Sequence, residues 1–110
     1  MYQDHVVLCG ASAYEKKFYL NPDFNSLPQQ IQDELKIACV LYTAEVGGVI
    51  TMEFDEEGRL NLVASSKEND LLFDEIGSAL KIKDMQMKKE DLWESLELYY
   101  RVFFLGEEVE

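Results

Sequence analysis

Alternating apolar and polar positions near the middle of the chain predict a β-hairpin. Residues 49–54 alternate in this way, and residues 59–64 repeat the pattern with apolar side chains at Leu60, Leu62 and Ala64. The segment between them, Asp55-Glu56-Glu57-Gly58, supplies turn residues and a glycine where a positive φ is needed. The pattern therefore predicts two antiparallel strands joined by a turn at residues 55–58, with Gly58 in a left-handed conformation.

A longer segment with apolar residues every three to four positions predicts a helix over about residues 27–46. Ser26 can cap its start, Pro28 suits its first turn, and Gln29 completes a capping box. One side of this helix is apolar, at Ile31, Leu35, Ala38, Cys39, Tyr42 and Val46. Its second half is apolar all round, so a strand over residues 37–43 remains an alternative.

The N-terminal segment gives a weaker pattern. The apolar run Val6-Val7-Leu8-Cys9 predicts a buried strand that Gly10 ends. In residues 12–20, Ser12 and Glu15 resemble a capping box that opens a helix. The same residues also alternate as a strand would, with Tyr14, Lys16, Phe18 and Leu20 on one side. Helix and strand both remain open for residues 12–20.

Two further helices are predicted in the C-terminal part. Asn69 or Asp70 caps the first, and Leu72, Ile76 and Leu80 line one side of it. The second begins at Glu90-Asp91 and ends before Gly106. Residues 81–89 contain no Gly or Pro, so the first helix either continues through them or breaks near Lys89. The tail at residues 107–110 is expected to fray.

These elements together predict an α+β fold. We expect an antiparallel sheet around the central β-hairpin, with the helices packed on one face. Residues 1–110 are expected to form a single domain, because no linker, repeat or low-complexity stretch divides them.

Acidic residues dominate the charge of the chain. It has 22 Asp and Glu against 10 Lys and Arg, a net charge of -12. Such a field repels nucleic-acid phosphates and anionic lipids, so neither nucleic acid nor membrane is expected as a partner. The start of the chain lacks the pattern of a secretion signal. We therefore expect a cytoplasmic protein in which Cys9 and Cys39 are reduced, buried thiols.

No residue pattern reaches the specificity of a catalytic or metal site. On a strand, His5 would lie roughly 13 Å from Cys9, too far for a nucleophile and its base. Two isolated cysteines and one histidine do not make a zinc site, and the acidic turn lacks the spacing of a calcium loop. We expect no catalytic residue, no cofactor and no bound metal. The basic stretch at Lys81, Lys83, Lys88 and Lys89 is interpreted as a solvated helix surface, with an anion site or a contact to the acidic hairpin as alternatives.

The C-terminal helix has more apolar surface than one contact needs. Its apolar residues cover roughly 200° of arc, about twice what a surface helix buries. One part of this arc, expected to face the chain's own core, holds Leu92, Leu96, Tyr99 and Phe103. On the other flank lie Trp93, Tyr100 and Phe104, which we predict to contact another protein chain, since Trp and Tyr are favoured at such contacts.

Six short segments spread over nearly the whole chain carry a family resemblance: Leu8-Cys9-Gly10-Ala11, Asp33-Glu34-Leu35-Lys36, Val46-Gly47-Gly48, Phe54-Asp55-Glu56-Glu57-Gly58, Leu71-Leu72-Phe73-Asp74-Glu75-Ile76-Gly77-Ser78 and Leu96-Glu97-Leu98-Tyr99-Tyr100-Arg101. In this order they resemble an uncharacterised family of small acidic bacterial proteins, known only as a domain of unknown function. The resemblance implies a bacterial cytosolic domain. It implies no activity, cofactor or catalytic residue.

The expected function is a non-enzymatic interaction module, acting as a homodimer or through a protein partner. The alternative is a small-ligand-binding protein or enzyme, with a pocket between the sheet and the C-terminal aromatic helix. There, Tyr99 or Tyr100 would supply a polar group.

Overall fold

Four strands and three α-helices make up the computed structural model, which describes residues 5–107. In chain order they are β1 (Val6–Ser12), β2 (Lys17–Leu20), α1 (Gln29–Val46), β3 (Val49–Phe54), β4 (Leu60–Ser65), α2 (Glu75–Lys88) and α3 (Glu90–Phe103). A short 3-10 helix at Pro22–Phe24 precedes α1. The predicted frayed tail, residues 107–110, lies outside the described residues except for Glu107.

The strands form one antiparallel sheet in the order β2-β1-β3-β4. One face of the sheet is buried, and its rows follow the pairing: Ala11 lies opposite both Phe18 and Ile50, and Ile50 lies opposite Ala64. Helix α1 contacts β1, β2 and β3, α3 contacts β4, and α2 packs on both helices. The predicted α+β fold, with an antiparallel sheet around the central hairpin and helices packed against it, is confirmed.

Strand β1 continues past Gly10, so the prediction that Gly10 ends it is wrong. A Cβ atom at this position would lie 2.8 Å from the carbonyl oxygen of Ile50, and glycine therefore permits the close approach of β3. The pairing register shifts between Val7 and Cys9. Because of this irregularity Leu8 and Cys9, although adjacent, are both buried.

Residues 12–20 form a turn followed by a strand. The backbone N–H of Glu15 donates to Ser12 Oγ at 3.2 Å, as the capping-box pattern suggests, but the bond closes a hairpin turn. Lys16 has a φ of 54°, which is not a right-handed helical conformation. β2 then pairs with β1 from Lys17 to Leu20, so the strand alternative holds for residues 17–20.

Residues 37–43 belong to α1, which confirms the helix predicted over about 27–46. The buried side chains of α1 are Leu35, Cys39 and Tyr42, all on the predicted side. The start differs from the prediction, because Pro28 occupies the N-cap position without a side-chain hydrogen bond. Ser26 does not cap the helix; its hydroxyl lies 2.7 Å from the hydroxyl of Tyr99 in a hydrogen bond.

The predicted hairpin is confirmed, with β3 and β4 joined by a turn in which Gly58 has a φ of 84°. The Asp55 carboxylate holds this turn by accepting from the backbone N–H groups of Glu57 at 2.9 Å and Arg59 at 3.0 Å. The amide of Asn61 also donates to it, at 3.2 Å. Partial burial alone would raise the pKa of Asp55, but these hydrogen bonds and the Arg59 charge outweigh it, and the pKa is lowered.

Helix α2 begins four or five residues later than a cap at Asp70 or Asn69 implies, so that prediction is wrong. Asp74 is the cap, and its Oδ1 accepts from the N–H of Gly77 at 2.9 Å. Asp70 instead accepts a hydrogen bond from the Tyr14 hydroxyl at 2.6 Å, which joins this loop to the turn after β1. This bond to Asp70 raises the pKa of Tyr14.

The chain breaks its helical path at Lys89, where φ is -121°. The first C-terminal helix therefore continues through residues 81–88 before a second begins at Glu90. The break allows α3 to contact β4 as well as α2, because one non-helical residue redirects the helix axis.

Candidate functional site

The aromatic residues of α3 pack against the sheet in a stack of rings. Between ring centroids, Tyr100 lies 4.2 Å from Phe54 and 5.1 Å from Phe104. Phe24 lies 5.8 Å from Phe54 and 4.8 Å from Phe104. Aromatic pairs at these distances add stability beyond the area that they bury. We call Phe24, Phe54, Tyr100 and Phe104 the aromatic cluster; it ties α3 to the first half of the chain.

The three predicted interface residues are divided between core and surface. Trp93 is 7% exposed and Tyr100 is 4% exposed, whereas Phe104 is 38% exposed. The indole N–H of Trp93 donates to the carbonyl oxygen of Met85 at 3.0 Å. Trp93 and Tyr100 thus pack inside their own chain and leave little surface for a second one. That these residues contact another chain remains a prediction.

Phe103, which we expected in the core, is 71% exposed. The other residues expected in the core are there: Leu96 is 2% exposed, and Leu92 and Tyr99 are partly buried against it. Trp93 and Tyr100, on the opposite flank of α3, face inward as well. The helical spacing identified both flanks, but not that the chain's own core takes side chains from both.

Helix α2 presents apolar side chains to solvent. Ile76, Leu80 and Met87 are 76%, 64% and 77% exposed, and the preceding Leu71 and Leu72 are almost fully exposed. Of the residues predicted to share one side of this helix, Leu72 lies before its start, and Ile76 and Leu80 lie on its exposed side. Such large aliphatic side chains, grouped on one element, are typical of a contact surface.

The inner side of α2 explains this orientation. The hydroxyl of Ser78 lies 2.6 Å from that of Tyr42 in a buried hydrogen bond, and Lys81 Nζ lies 2.7 Å from a carboxylate oxygen of Glu45. Met85 supplies the buried apolar contact. Because these groups fix α2 against α1, its more aliphatic side turns outward.

The exposed stripe has the spacing of a helix–helix contact. Ile76, Leu80, Lys83 and Met87 are separated by four, three and four residues, so they share one side of α2. We call these four residues the α2 outer face. The sequence pattern of Leu72, Ile76 and Leu80 did not include Met87, and Lys83 was interpreted only as part of a basic stretch. The same spacing, continued beyond Leu80, would have revealed both.

The lysines of α2 are mostly paired within the chain, which does not favour a shared anion site. Besides Lys81, Lys88 Nζ lies 3.1 Å from Asp84 and Lys89 Nζ lies 3.8 Å from Glu34. Across the part of the chain that the structure describes, Lys83 makes no such pair. Both signs of charge therefore flank the α2 outer face.

Helix α1 also has an exposed aliphatic side. Ile37, Val40 and Leu41 are 58%, 42% and 52% exposed, while Cys39 and Tyr42 on the opposite side are fully buried. This arrangement accounts for the stretch that is apolar all round: one side faces the sheet and the other faces solvent. Ile37 and Leu41 border a groove of about 350 Å³ between α1 and α2.

The two cysteines meet in the core between β1 and α1. Their sulfur atoms lie 3.9 Å apart, neither residue is exposed, and both are free thiols. Contact with the Cys39 thiol, together with burial, raises the pKa of Cys9. A protonated, inaccessible thiol is a poor nucleophile, so the pair acts as part of the core.

His5 and Cys9, considered as a base and a nucleophile, have different surroundings. His5 Nδ1 lies 3.5 Å from a carboxylate oxygen of Glu53 and is largely exposed, whereas Cys9 is buried. Within residues 5–107, no group of three or more His, Cys, Asp or Glu side chains is placed to hold a metal ion. No described helix is long and apolar enough to cross a membrane.

Comparison with known proteins gives a family without an assigned activity. A family model described as "Family of unknown function (DUF6145)" matches residues 5–108. No curated protein and no solved structure matches the chain.

Proposed function

Since the chain belongs to this family of unknown function, we propose from its structure that it is a non-enzymatic interaction module that forms a homodimer through the α2 outer face. The observation that carries the proposal is the exposure of Ile76, Leu80 and Met87, each more than 60% accessible on one side of one helix. Leu71 and Leu72 extend the apolar surface at the start of α2.

A second copy of the chain is the occupant that the charges favour. Acidic residues gather at the start of α2, at Asp70, Asp74 and Glu75. Its second half carries Lys83, which has no ion pair within residues 5–107, and ends at Lys88 and Lys89, which also pair with Asp84 and Glu34. Two α2 helices packed antiparallel would place the acidic start of one beside the basic end of the other. A two-fold contact of this kind is self-complementary, as an isologous interface must be.

The apolar stripe supplies the attraction, and the charges set the orientation. Each aliphatic side chain that becomes fully buried contributes about 1.5–3 kcal/mol. The net charge of -12 opposes the approach of two copies over longer distances. Salt screens this repulsion, so we expect dimerisation to strengthen as the salt concentration rises.

Light scattering coupled to size-exclusion chromatography tests the proposal. At tens of micromolar, we expect the wild type to show a mass near twice the 12.7 kDa of one chain, more completely at high salt. Leu80→Ser combined with Met87→Ser should give a monomer. Val63→Ser, which changes an exposed aliphatic residue on β4, is the matched control and should remain a dimer.

Charge reversal tests the orientation. Glu75→Lys and Glu56→Lys alter the net charge equally, but only Glu75 adjoins the α2 outer face. We expect Glu75→Lys to weaken the dimer and Glu56→Lys to leave it equal or stronger. If the wild type is a monomer at both salt concentrations, the proposed function is wrong. If the Leu80→Ser, Met87→Ser variant still forms the dimer, the proposed surface is wrong.

A small-ligand-binding protein or enzyme is the second candidate. A pocket between the sheet and α3 would have to lie where the Phe54 and Tyr100 rings stack at 4.2 Å. Tyr99, the other tyrosine considered for a polar role, engages Ser26 through its hydroxyl. This packing favours the interaction module.

The proposed setting is the bacterial cytoplasm. Two buried thiols that touch without forming a bond suit a reducing compartment. The acidic net charge supports a protein partner rather than nucleic acid or an anionic membrane.

A further inference from the structure

A cavity of about 530 Å³ lies between the β1–β2 turn and α1, away from the α2 outer face. Its walls include Ser12, Lys16, Lys17, Phe18, Lys36 and Val40. We propose that this cavity binds a small organic anion, in which a phosphate or carboxylate group is attached to an apolar body.

The charge of the cavity is opposite to that of the protein. Three lysines line it, and no Asp or Glu does, although the chain carries 22 acidic residues and a net charge of -12. Among residues 5–107, no carboxylate lies within ion-pair distance of Lys16, Lys17 or Lys36. The lysines of α2, by contrast, mostly have carboxylate partners of their own. A local excess of three unpaired ammonium groups favours an anion.

The backbone at Lys16 gives a second, independent indication. Lys16 is the one non-glycine residue at positive φ in the described part of the chain, at 54°. This left-handed position of a hairpin turn is usually filled by Gly or Asn, because a longer side chain is strained there. Retaining a lysine at a strained position beside a cavity is typical of a functional constraint.

The other walls define the body of the ligand. Phe18 and Val40 supply apolar surface, and the volume lies in the range of small-molecule sites, roughly 300–1,000 Å³. Ser12 Oγ accepts from the N–H of Glu15, which leaves its hydroxyl proton free to donate to an anion. Thr43, also in the wall, already donates its hydroxyl proton to the Val40 carbonyl. The cavity thus combines three ammonium groups, one free hydroxyl donor and an apolar wall.

Titration of the ¹⁵N-labelled protein with hexyl phosphate, hexanoate and inorganic phosphate, followed by NMR, tests the proposal. We expect saturable shifts at the cavity residues with hexyl phosphate or hexanoate, and weaker binding of inorganic phosphate, which lacks the apolar body. The relative affinities of the first two identify the preferred anionic group. Added salt should weaken binding.

Charge-matched variants locate the site. Lys36→Gln or Lys17→Gln should weaken hexyl phosphate binding about tenfold, the usual effect of losing one charged hydrogen bond. Lys83→Gln removes the same charge from the unpaired lysine of α2 and should leave the affinity within about twofold. An equal loss in Lys83→Gln would show non-specific attraction and overturn the site. Absence of saturation by about 10 mM for all three probes would overturn the proposal itself.

Lys16→Gly separates the strain from the binding. Glycine relieves the left-handed conformation, so the melting temperature should rise while the affinity for hexyl phosphate falls. A higher melting temperature with unchanged affinity would remove Lys16 from the site. Because Lys16, Lys17 and Lys36 lie outside the α2 outer face, the dimer should persist in the variants of these three lysines, and failure of either proposal can be recognised separately.

Discussion

Helices α2 and α3 are both apolar on one side, yet α3 buries a larger part of its apolar surface than α2 does. In α3, Trp93, Leu96 and Tyr100 are at most 7% exposed. In α2, Ile76 and Leu80 are at least 64% exposed. The difference lies in the surface against which each helix packs. The ring of Phe54 stacks on Tyr100 of α3, whereas α1 contacts α2 through hydrogen-bonded and charged side chains.

This contrast shows what an apolar pattern can and cannot predict. Helical periodicity identifies the side chains that share one side of a helix. It does not say whether that side meets the chain's own core or another surface, because this depends on the tertiary position of the helix. An apolar stripe left without an intrachain partner is therefore informative about contacts with other molecules.

The largest effect should come from Trp93→Ala, which removes a core side chain of α3. We expect it to lower the free energy of unfolding by about 3–5 kcal/mol, as for other buried aromatic residues replaced by alanine. Loss of the hydrogen bond to the Met85 carbonyl adds to the destabilisation that the cavity causes. Urea denaturation at two protein concentrations measures this change.

The dependence of the Trp93→Ala loss on protein concentration distinguishes a core role of Trp93 from a role in a dimer. If Trp93 belongs to the core, the loss is the same at low and high protein concentration. If the residue instead stabilises a dimer, the loss grows with concentration. A loss below about 1 kcal/mol would contradict the core placement of the α3 aromatic residues.

Gly58→Ala should have the next largest effect, because this turn lies directly under α3. A Cβ atom at Gly58 would sit 2.6 Å from Cγ of Arg101, and φ is 84°. We expect a loss of about 1–2 kcal/mol from the backbone conformation alone, with the contact adding to it. The same substitution in an Arg101→Ala background removes the side-chain contact and measures the loss of stability that the backbone conformation alone causes. An unchanged melting temperature of Gly58→Ala would contradict the prediction that an alanine at this φ is strained.

Local patterns predicted much of the fold. The hairpin and its turn followed from alternation around Asp55 and Gly58, because a two-residue period and a glycine-containing turn are set by neighbouring residues. The body of α1 was equally recognisable from Leu35, Cys39 and Tyr42. These features depend little on distant parts of the chain.

The errors arose where a residue distant in the sequence determines the local structure. Ser26 and Asp70 looked like helix caps, but their side chains bind Tyr99 and Tyr14 from elsewhere in the sequence. The exposure of Leu80 likewise depends on the inner side of α2 meeting α1. The three lysines of the cavity come from β1–β2 and α1, so no single segment of sequence shows them together.

Asp55→Asn should have a smaller effect, on the turn beneath α3. The substitution weakens the three hydrogen bonds that the carboxylate accepts, and we expect a loss of about 0.5–1 kcal/mol at neutral pH. The folded pKa of Asp55 is lower than its value in the unfolded chain. Its contribution to stability is therefore present above pH ~4 and is lost as the pH falls through the folded pKa.

Urea midpoints between pH 7 and pH 2.5 check the Asp55 prediction. The difference between wild type and Asp55→Asn should shrink steadily below about pH 4. Glu56→Gln, which removes an equal charge next in the sequence, should run parallel to the wild type, since no hydrogen bond holds Glu56 within residues 5–107. A constant gap between wild type and Asp55→Asn would contradict the lowered pKa.

The smallest effect on the isolated chain is expected for Leu80→Ala, although Leu80 is as apolar as the residues buried under α3. Its side chain is 64% exposed, and alanine is the better helix former, so at low protein concentration the free energy of unfolding should stay within about 0.5 kcal/mol of wild type. The proposed dimer changes this at high concentration. Wild type then gains stability by mass action, because association favours the folded state, and Leu80→Ala gains less. Urea midpoints from about 1 to 100 μM would show two curves that coincide at first and then separate. Curves that coincide throughout would mean that α2 exposes its aliphatic side without using it for self-association, whereas a large loss at every concentration would place Leu80 in the core after all.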